Sequence, residues 1–467
     1  MSAPHRQGGR EGLDDGAATK SGASRGERVA PSDVHEVLGR HLLLESYPMV
    51  FDPVRSHGAY LVDARDGTEY LDFYTFFASS PLGLNPAGLA DDEAFLRELA
   101  VVAANKPANS DFHTTYLAEF VETFWRVLGD PALPHLFFIE GGAAAVDNAV
   151  KVAFDWKSRR NEAAGRSADL GTRVMHLRHA FHGRGGYTLS LTNTDPVKVD
   201  RFPKFDWPRI PSPAIRFPLS EHLARVEEAE AEALAAAADA FAVHPHDIAC
   251  FIAEPIQAEG GDRHLRPEFL HAMQELCLEH EALFVLDEVQ TGVGVTGTPW
   301  CYQQLGLEPD VVSFGKKVQL GGLMAGRRVD DEPENVFRVS SRINSTWGGN
   351  LTDMVRSTRL LEIIESTGAI ENAGREGAHL LQRLLELEDR HDGVISNARG
   401  RGLLAALDLP TGEVRDEVLT SLRTDEHVLA LACGDVSLRF RPSLAISAEE
   451  VDLACEALDR VLQKRGI

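Results

Sequence analysis

Five short apolar runs restrict the fold of this chain more than any other feature. They are Leu136-Phe137-Phe138-Ile139, Val174-Met175-His176-Leu177, Ile248 to Ala253, Leu283-Phe284-Val285-Leu286 and Val311-Val312-Ser313-Phe314. Each is four to six residues long, several are closed by Gly or Asp, and longer helix-compatible stretches follow them. Runs this short, apolar at consecutive positions, suit strands buried on both faces of a mainly parallel sheet, with the intervening stretches as crossover helices. The Ala- and Glu-rich segment Leu219 to Val243 reads as one such helix with an exposed face. After Thr352 the pattern becomes helix, then a weak hairpin over Arg399 to Leu409, then helix to Ile467. Residues 352–467 therefore read as a smaller α+β domain. Near the other end, Ser32 is expected to cap a helix carrying Val34, Val37, Leu38 and Leu42, and the Asp66-Gly67 turn is expected to close a hairpin that starts near Ala59. Residues 1–30, rich in glycine and poor in large aliphatics, are expected to form a disordered tail.

Composition removes several classes of function. With 467 residues, 43% of them hydrophobic, the chain can bury a large core and is neither a small module nor a scaffold of disorder. Its formal charge of −24 repels nucleic acid and anionic membrane faces. The five cysteines, with no CxxC pair, are expected to be reduced thiols in a cytoplasmic protein. No apolar run approaches the ~20 residues of a membrane span, and no signal-peptide pattern opens the chain.

Open α/β sheets bind ligands outside the carboxyl ends of their strands. Four predicted strand ends carry polar residues suited to one kind of ligand. After Ile139 come Glu140-Gly141-Gly142-Ala143 and a helical stretch, a turn that leaves backbone N–H groups free for a phosphate, or that is only a tight connection. After Leu286 comes Asp287, a carboxylate that needs a partner, either an arginine or a protonated ring nitrogen. After Phe314 come Gly315-Lys316-Lys317, a solvated lysine pair or a site where a lysine of lowered pKa forms a Schiff base. After Leu177 come Phe181-His182-Gly183-Arg184, an aromatic able to stack on a planar ligand and an arginine able to hold a carboxylate, or a core Phe beside a surface His and Arg. His244 and His246 have no companion ligands at metal spacing and read as a loop. The proline-rich segment from Pro196 to Pro218 reads as a long irregular loop that walls a pocket.

Gly141-Gly142-Ala143, Phe181-His182-Gly183, Asp287-Glu288-Val289-Gln290-Thr291-Gly292, Gly315-Lys316 and Thr346 resemble, in this order and spacing, the class III pyridoxal-phosphate aminotransferases of fold type I. The block ending at Gly292, with Lys316 placed 24 residues after it, is a specific signal. Phe181 to Arg184, Thr192-Asn193-Thr194, Glu259-Gly260-Gly261-Asp262 and Asn344 to Asn350 are further similar to the bacterial L-lysine 6-aminotransferase branch. The resemblance implies a homodimer of a large cofactor domain, 86–351, and a small domain built from 31–85 and 352–467. The implied reaction moves the ε-amino group of L-lysine to 2-oxoglutarate. Aminotransferases for ornithine, 4-aminobutyrate or diaminobutyrate, and a non-catalytic interaction protein of the same fold, are the other readings.

The resemblance also assigns roles. Lys316 would hold pyridoxal 5'-phosphate and later move the substrate proton, while Asp287 would pair with the ring nitrogen. Phe181 would stack on the ring, His182 would belong to the same pocket, and Gln290 would bond the phenolic oxygen. Gly142 and Ala143 would bind the phosphate, joined by Ser345 and Thr346 of the other subunit. Arg184, Glu259, Asn344 and Arg439 would contact substrate, with Arg439 as near and Arg184 as far carboxylate anchor and Glu259 masking Arg439 when lysine binds. The phosphate loop lacks the hydroxyl residue many members carry, which shifts weight onto Thr346.

Overall fold

A computed structural model describes residues 28–45 and 47–465, so the expected tail over 1–30 lies almost wholly outside the described residues. The described residues divide into two compact units, those up to 50 with 63–67 and those of 51–62 with 68 onward. In the first, Pro31–Asp33 form a 3-10 turn and Val34–Gly39 a short helix. Ser32 does not cap it: Asp33 holds the cap position and no side chain accepts from the first turn. Leu42 lies beyond the helix and is exposed, so the apolar spacing there buries nothing in this chain.

The second unit is built on a seven-stranded sheet. Its strands are β1 (His135–Ile139), β2 (Arg173–Leu177), β3 (Arg209–Ile210), β4 (Ile248–Ala253), β5 (Leu283–Asp287), β6 (Val311–Phe314) and β7 (Gly321–Ala325), in the order β1-β7-β6-β5-β4-β2-β3. From β6 to β3 every neighbour pairs parallel, while β7 runs antiparallel to both β6 and β1. Alternate residues serve opposite faces. Cys250, Ile252, Val285 and Val311 pack with Val146, Ala149 and Ala153 of the helix Gly142–Ala163. Phe251, Phe284, Leu286 and Val312 pack with Phe269, Leu270 and Met273 of the helix Pro267–Glu279. Burial on both faces is why these strands lack polar alternation. Cutting the fully buried Phe284 to alanine should cost about 3–5 kcal/mol.

Two strands differ from the sequence expectation. β7 is not among the five apolar runs; it opens with Gly321-Gly322, where a Cβ at Gly321 would stand 2.2 Å from the Gly141 carbonyl oxygen and one at Gly322 2.5 Å from the Phe314 ring. The glycines are there because neighbouring backbone and ring come so close, not because the chain turns. The segment from Pro196 to Pro218 is not wholly irregular: Arg209–Ile210 adds an edge strand, parallel to β2.

Leu219–Val243 is a helix as expected. Leu351–Thr367 is capped by the Asn350 side chain, which accepts from Thr352 N at 3.1 Å. The expected C-terminal hairpin is Ser396–Arg401 with Leu404–Asp408, extended by Ser437–Phe440 and Leu431–Cys433 into a four-stranded antiparallel sheet. The early hairpin, Tyr60–Val62 with Glu69–Asp72, pairs onward with Val428–Leu429. All five cysteines are buried and free. No described helix is long and apolar enough to cross a membrane.

Candidate active site

The ends of β1, β4, β5 and β6 and the loop after β2 open onto one cavity of about 560 Å³. Its lining includes Gly142, Ala143, Phe181, His182, Arg184, Glu259, Asp287, Gln290 and Lys316, all named from sequence. After β1 and Glu140 comes Gly141, whose φ of 89° suits glycine, and the helix Gly142–Ala163 that it begins has no side-chain cap. Gly142 and Ala143 thus present free N–H groups with the positive helix end behind them.

Asp287 is the last residue of β5 and is 4% exposed. His182 Nδ1 donates to its Oδ2 at 2.7 Å and Val289 N to its Oδ1 at 3.0 Å. His182 Nε2 and Gln290 Oε1 are buried with no partner among the described residues. Phe181 is half-buried against the cavity, and the exposed Arg184 guanidinium lies 5.9 Å from its ring centre.

The two lysines after β6 part company. Lys316 faces the cavity with φ 52°, and its Nζ donates to the Phe77 carbonyl at 3.0 Å. Desolvation, then the nearby Arg439 charge, bring its amine down to about 8. Lys317 turns inward, is buried, and donates to the Gln290 carbonyl at 2.8 Å. Burial, then the Lys316 charge, push its amine well below the lysine range.

Phe77 belongs to a left-handed turn in which Thr75, Phe76, Phe77 and Ala78 have φ of 45°, 50°, 58° and 62°. L-residues in that region cost roughly 1–2 kcal/mol each. Asp72 Oδ1 holds the turn by accepting from Tyr74 N and Thr75 N, both at 2.8 Å, and Thr75 Oγ1 donates to the Arg441 carbonyl at 2.6 Å. Phe76 and Phe77 line the cavity because of it.

Glu259 sits at the cavity edge between two cations. Arg439 Nη2 donates to its Oε2 at 2.9 Å and Lys198 Nζ to its Oε1 at 2.6 Å. Burial works against its charge, but Arg439 and Lys198 together outweigh it and hold the carboxyl below the usual range. Arg439 is 1% exposed, with Nε and Nη1 unpartnered.

Asn344, Ser345 and Thr346 lie away from the cavity of their own chain. Asn344 and Thr346 are exposed, Ser345 N donates to Asn344 Oδ1 at 2.7 Å, and Gly348 N to Ser345 Oγ at 3.0 Å. His246 pairs through Nδ1 with Arg166 at 2.6 Å. Among the described residues no three His, Cys, Asp or Glu side chains cluster to hold a metal.

Sequence reading passed over Glu254, which lines the cavity and accepts from Phe181 N at 2.9 Å and Ala258 N at 3.2 Å. Burial, then the Asp287 charge, push its carboxyl well above the ordinary range. Its signal was available: it directly follows the apolar run Ile248 to Ala253, as Asp287 follows Leu286.

These residues fit a pyridine ring bearing a phosphate and an aldehyde. An uncapped helix N-terminus meets the phosphate's needs. A buried carboxylate meets those of a protonated ring nitrogen, Gln290 Oε1, without a partner among the described residues, can accept from a phenolic hydroxyl, and a lysine of lowered pKa meets those of the aldehyde.

Known proteins match this chain over nearly its full length. The family model described as aminotransferase class-III matches residues 44–462. A Mycobacterium tuberculosis protein named L-lysine-epsilon aminotransferase is 57% identical over 446 residues, covering 96% of this chain and 99% of that one. One of the same name from Amycolatopsis lactamdurans is 56% identical over 434 residues, covering 93% and 96%. The solved structure of a lysine aminotransferase from M. tuberculosis in the internal aldimine form superposes with a TM-score of 0.92 at 57% identity, covering 93% of this chain and all of that one. The strand-end cavity and these likenesses lead to one conclusion: the chain belongs to the class-III aminotransferases, enzymes of fold type I whose cofactor is pyridoxal 5'-phosphate.

Proposed function

We propose that this chain transfers the ε-amino group of L-lysine to 2-oxoglutarate, giving L-2-aminoadipate 6-semialdehyde and L-glutamate. The observation that carries the donor is the 57% identity, over nearly the full length, with proteins named for that activity. The acceptor is supported by Glu259, which lines the cavity and covers the buried Arg439 behind it, a cation that a second carboxylate can claim when Glu259 lets go.

When bound, the cofactor supplies an electron sink beside the substrate carbon that loses or gains a proton. In this reading Lys316 holds it covalently and then, with its amine at about 8, takes and returns that proton near neutral pH. Asp287, oriented by His182, keeps the ring nitrogen charged, and Phe181 stacks on the ring. Gln290 bonds the phenolic oxygen, and Gly142 and Ala143 donate to the phosphate. Ser345 and Thr346, half-buried and exposed in their own chain, complete the phosphate site of a second copy, so the working unit is a homodimer. Arg184 anchors the far carboxylate and Arg439 the near one, and Asn344 is a further substrate contact. The large domain is 86–351, and the small domain draws on 31–85 and 352–467. The five buried thiols support a cytoplasmic setting.

The test is an amino-donor screen with 2-oxoglutarate using lysine isotopically labelled at its ε-nitrogen. Label appearing in glutamate is expected. Unlabelled glutamate, or a faster reaction with ornithine or 4-aminobutyrate, would reassign the donor.

A further inference from the structure

The segment after Thr192 places one charged group, Lys198, against the cavity-lining Glu259, and the reaction above leaves it without a role. Lys198 ends a 3-10 turn, Pro196–Lys198, which Asp195 caps by accepting from Val197 N at 2.9 Å. The turn is fixed on its other side too, since Val199 N and Asp200 N both donate to the Pro196 carbonyl, at 3.0 and 2.8 Å. Lys198 is thus delivered from a hydrogen-bonded turn, its side chain 19% exposed, and its ammonium lies 2.6 Å from Glu259 and 5.6 Å from the Phe181 ring centre.

Glu259 therefore has one oxygen on each of two cations. Arg439 Nε and Nη1 are buried without a partner among the described residues, so the guanidinium has donors left for a carboxylate that reaches it in place of Glu259. For that carboxylate to bind well, Glu259 must release Arg439. With Arg439 as its only partner, Glu259 would have to move its charge into a half-buried place with no counter-ion, and the cluster of one cation and two carboxylates would carry a net negative charge. With Lys198 present the displaced carboxylate stays paired, and two cations face two carboxylates.

We propose that Lys198 is a positioning residue that shares Glu259 with Arg439 and retains it when a substrate carboxylate takes Arg439, thereby favouring the 2-oxoglutarate half-reaction. This rests on the reaction assigned above and adds to it a residue that never touches the reacting atoms.

Single-turnover measurements on the holoenzyme separate the two claims, each half-reaction being followed by the visible absorbance of the bound cofactor. Wild-type protein inert to both lysine and 2-oxoglutarate would overturn the assigned reaction, and this proposal with it, before Lys198 is touched. With wild type active, Lys198→Met should weaken apparent 2-oxoglutarate affinity about tenfold, while apparent lysine affinity moves less than about twofold. Lys198→Arg should restore the acceptor to within about twofold, because a cation at that place is what matters. In a Glu259→Gln background the Lys198→Met effect should vanish, since Lys198 acts through the carboxylate. Equal losses in both half-reactions, no loss in either, or an undiminished effect in the Glu259→Gln background would each overturn the proposal. Should the Met variant fold poorly, an arginine variant as defective as Lys198→Gln would do the same.

Discussion

His182 Nδ1 donates to Asp287 Oδ2 across 2.7 Å, joining the loop after β2 to the tip of β5 past the intervening β4. Both side chains are nearly excluded from water, 0% and 4% exposed. A carboxylate in such a place cannot be stabilised by solvent, so its orientation is set by the protein alone. That orientation faces the cavity in which the cofactor's ring nitrogen is expected. Asp287→Asn keeps the shape and removes the charge, and the expected loss of turnover is ~10²-fold or more, the usual scale for a preorganised charge. Steady-state transamination with demonstrated cofactor binding checks this. Near-normal turnover would remove Asp287 from the mechanism.

The two lysines at the end of β6 make opposite predictions. Lys316→Ala should abolish both the visible absorbance of covalently held cofactor and transamination. Lys317→Ala should keep the absorbance, because Lys317 bonds the Gln290 carbonyl rather than facing the cavity. Lys316 also predicts a pH profile. Only the neutral amine captures the aldehyde, so the rate at which cofactor-free protein takes up pyridoxal phosphate should rise with pH through about 8 and then level off. An ordinary lysine would keep the rate rising toward 10.5. The sign for stability follows from the same depression. Between about 8 and 10.5 the unfolded chain holds the proton that the folded chain has lost. The cofactor-free protein therefore gains stability as pH rises through that window, and has lost this contribution below it.

Much of this site was legible in the sequence because its residues stand at strand tips, and the strands announce themselves by unbroken apolarity. Asp287 after Leu286 and Lys316 after Phe314 are of that kind. What was illegible has physical reasons. β7 is hidden because Gly321 and Gly322 serve close packing, and glycine in a sequence ordinarily signals a turn. The left-handed turn over Thr75 to Ala78 contains no glycine, so nothing local marks its positive φ; contacts from Asp72 and Arg441 impose it. Lys198 is separated from Glu259 by 61 positions, and a lone lysine in a proline-rich loop reads as solvated until the fold places it.

Asn344, Ser345 and Thr346 are polar, largely exposed and outside their own chain's cavity. If a second copy receives them, Thr346→Ala should weaken pyridoxal-phosphate retention. Mixing that variant with Lys316→Ala should also create heterodimers with one intact site. Activity regained on mixing is the expected result. No recovery, with subunit exchange demonstrated by tagged copies, would count against a shared site.

Lysine and 2-oxoglutarate make contrary demands on the near end of the pocket, and Glu259 is the residue on which the difference should register. Lysine brings an amine to the reacting position and keeps its carboxylate far away, so its uncharged methylenes lie where 2-oxoglutarate places a carboxylate. An unpaired Arg439 guanidinium there, 1% exposed, is unfavourable beside a methylene chain and favourable beside a carboxylate. The Glu259 carboxylate, 2.9 Å from Arg439, neutralises it in the first case. Glu259→Ala leaves Arg439 and Lys198 both unpaired against lysine and removes the competitor that 2-oxoglutarate must displace. The lysine half-reaction should therefore suffer the larger loss, on the order of tenfold or more, and Arg439→Ala should impair the 2-oxoglutarate half-reaction preferentially. Rapid-mixing measurement of each half-reaction alone checks both, and equal losses in the two halves for Glu259→Ala would mean that Glu259 holds the pocket's shape and takes no part in exchanging one substrate for the other.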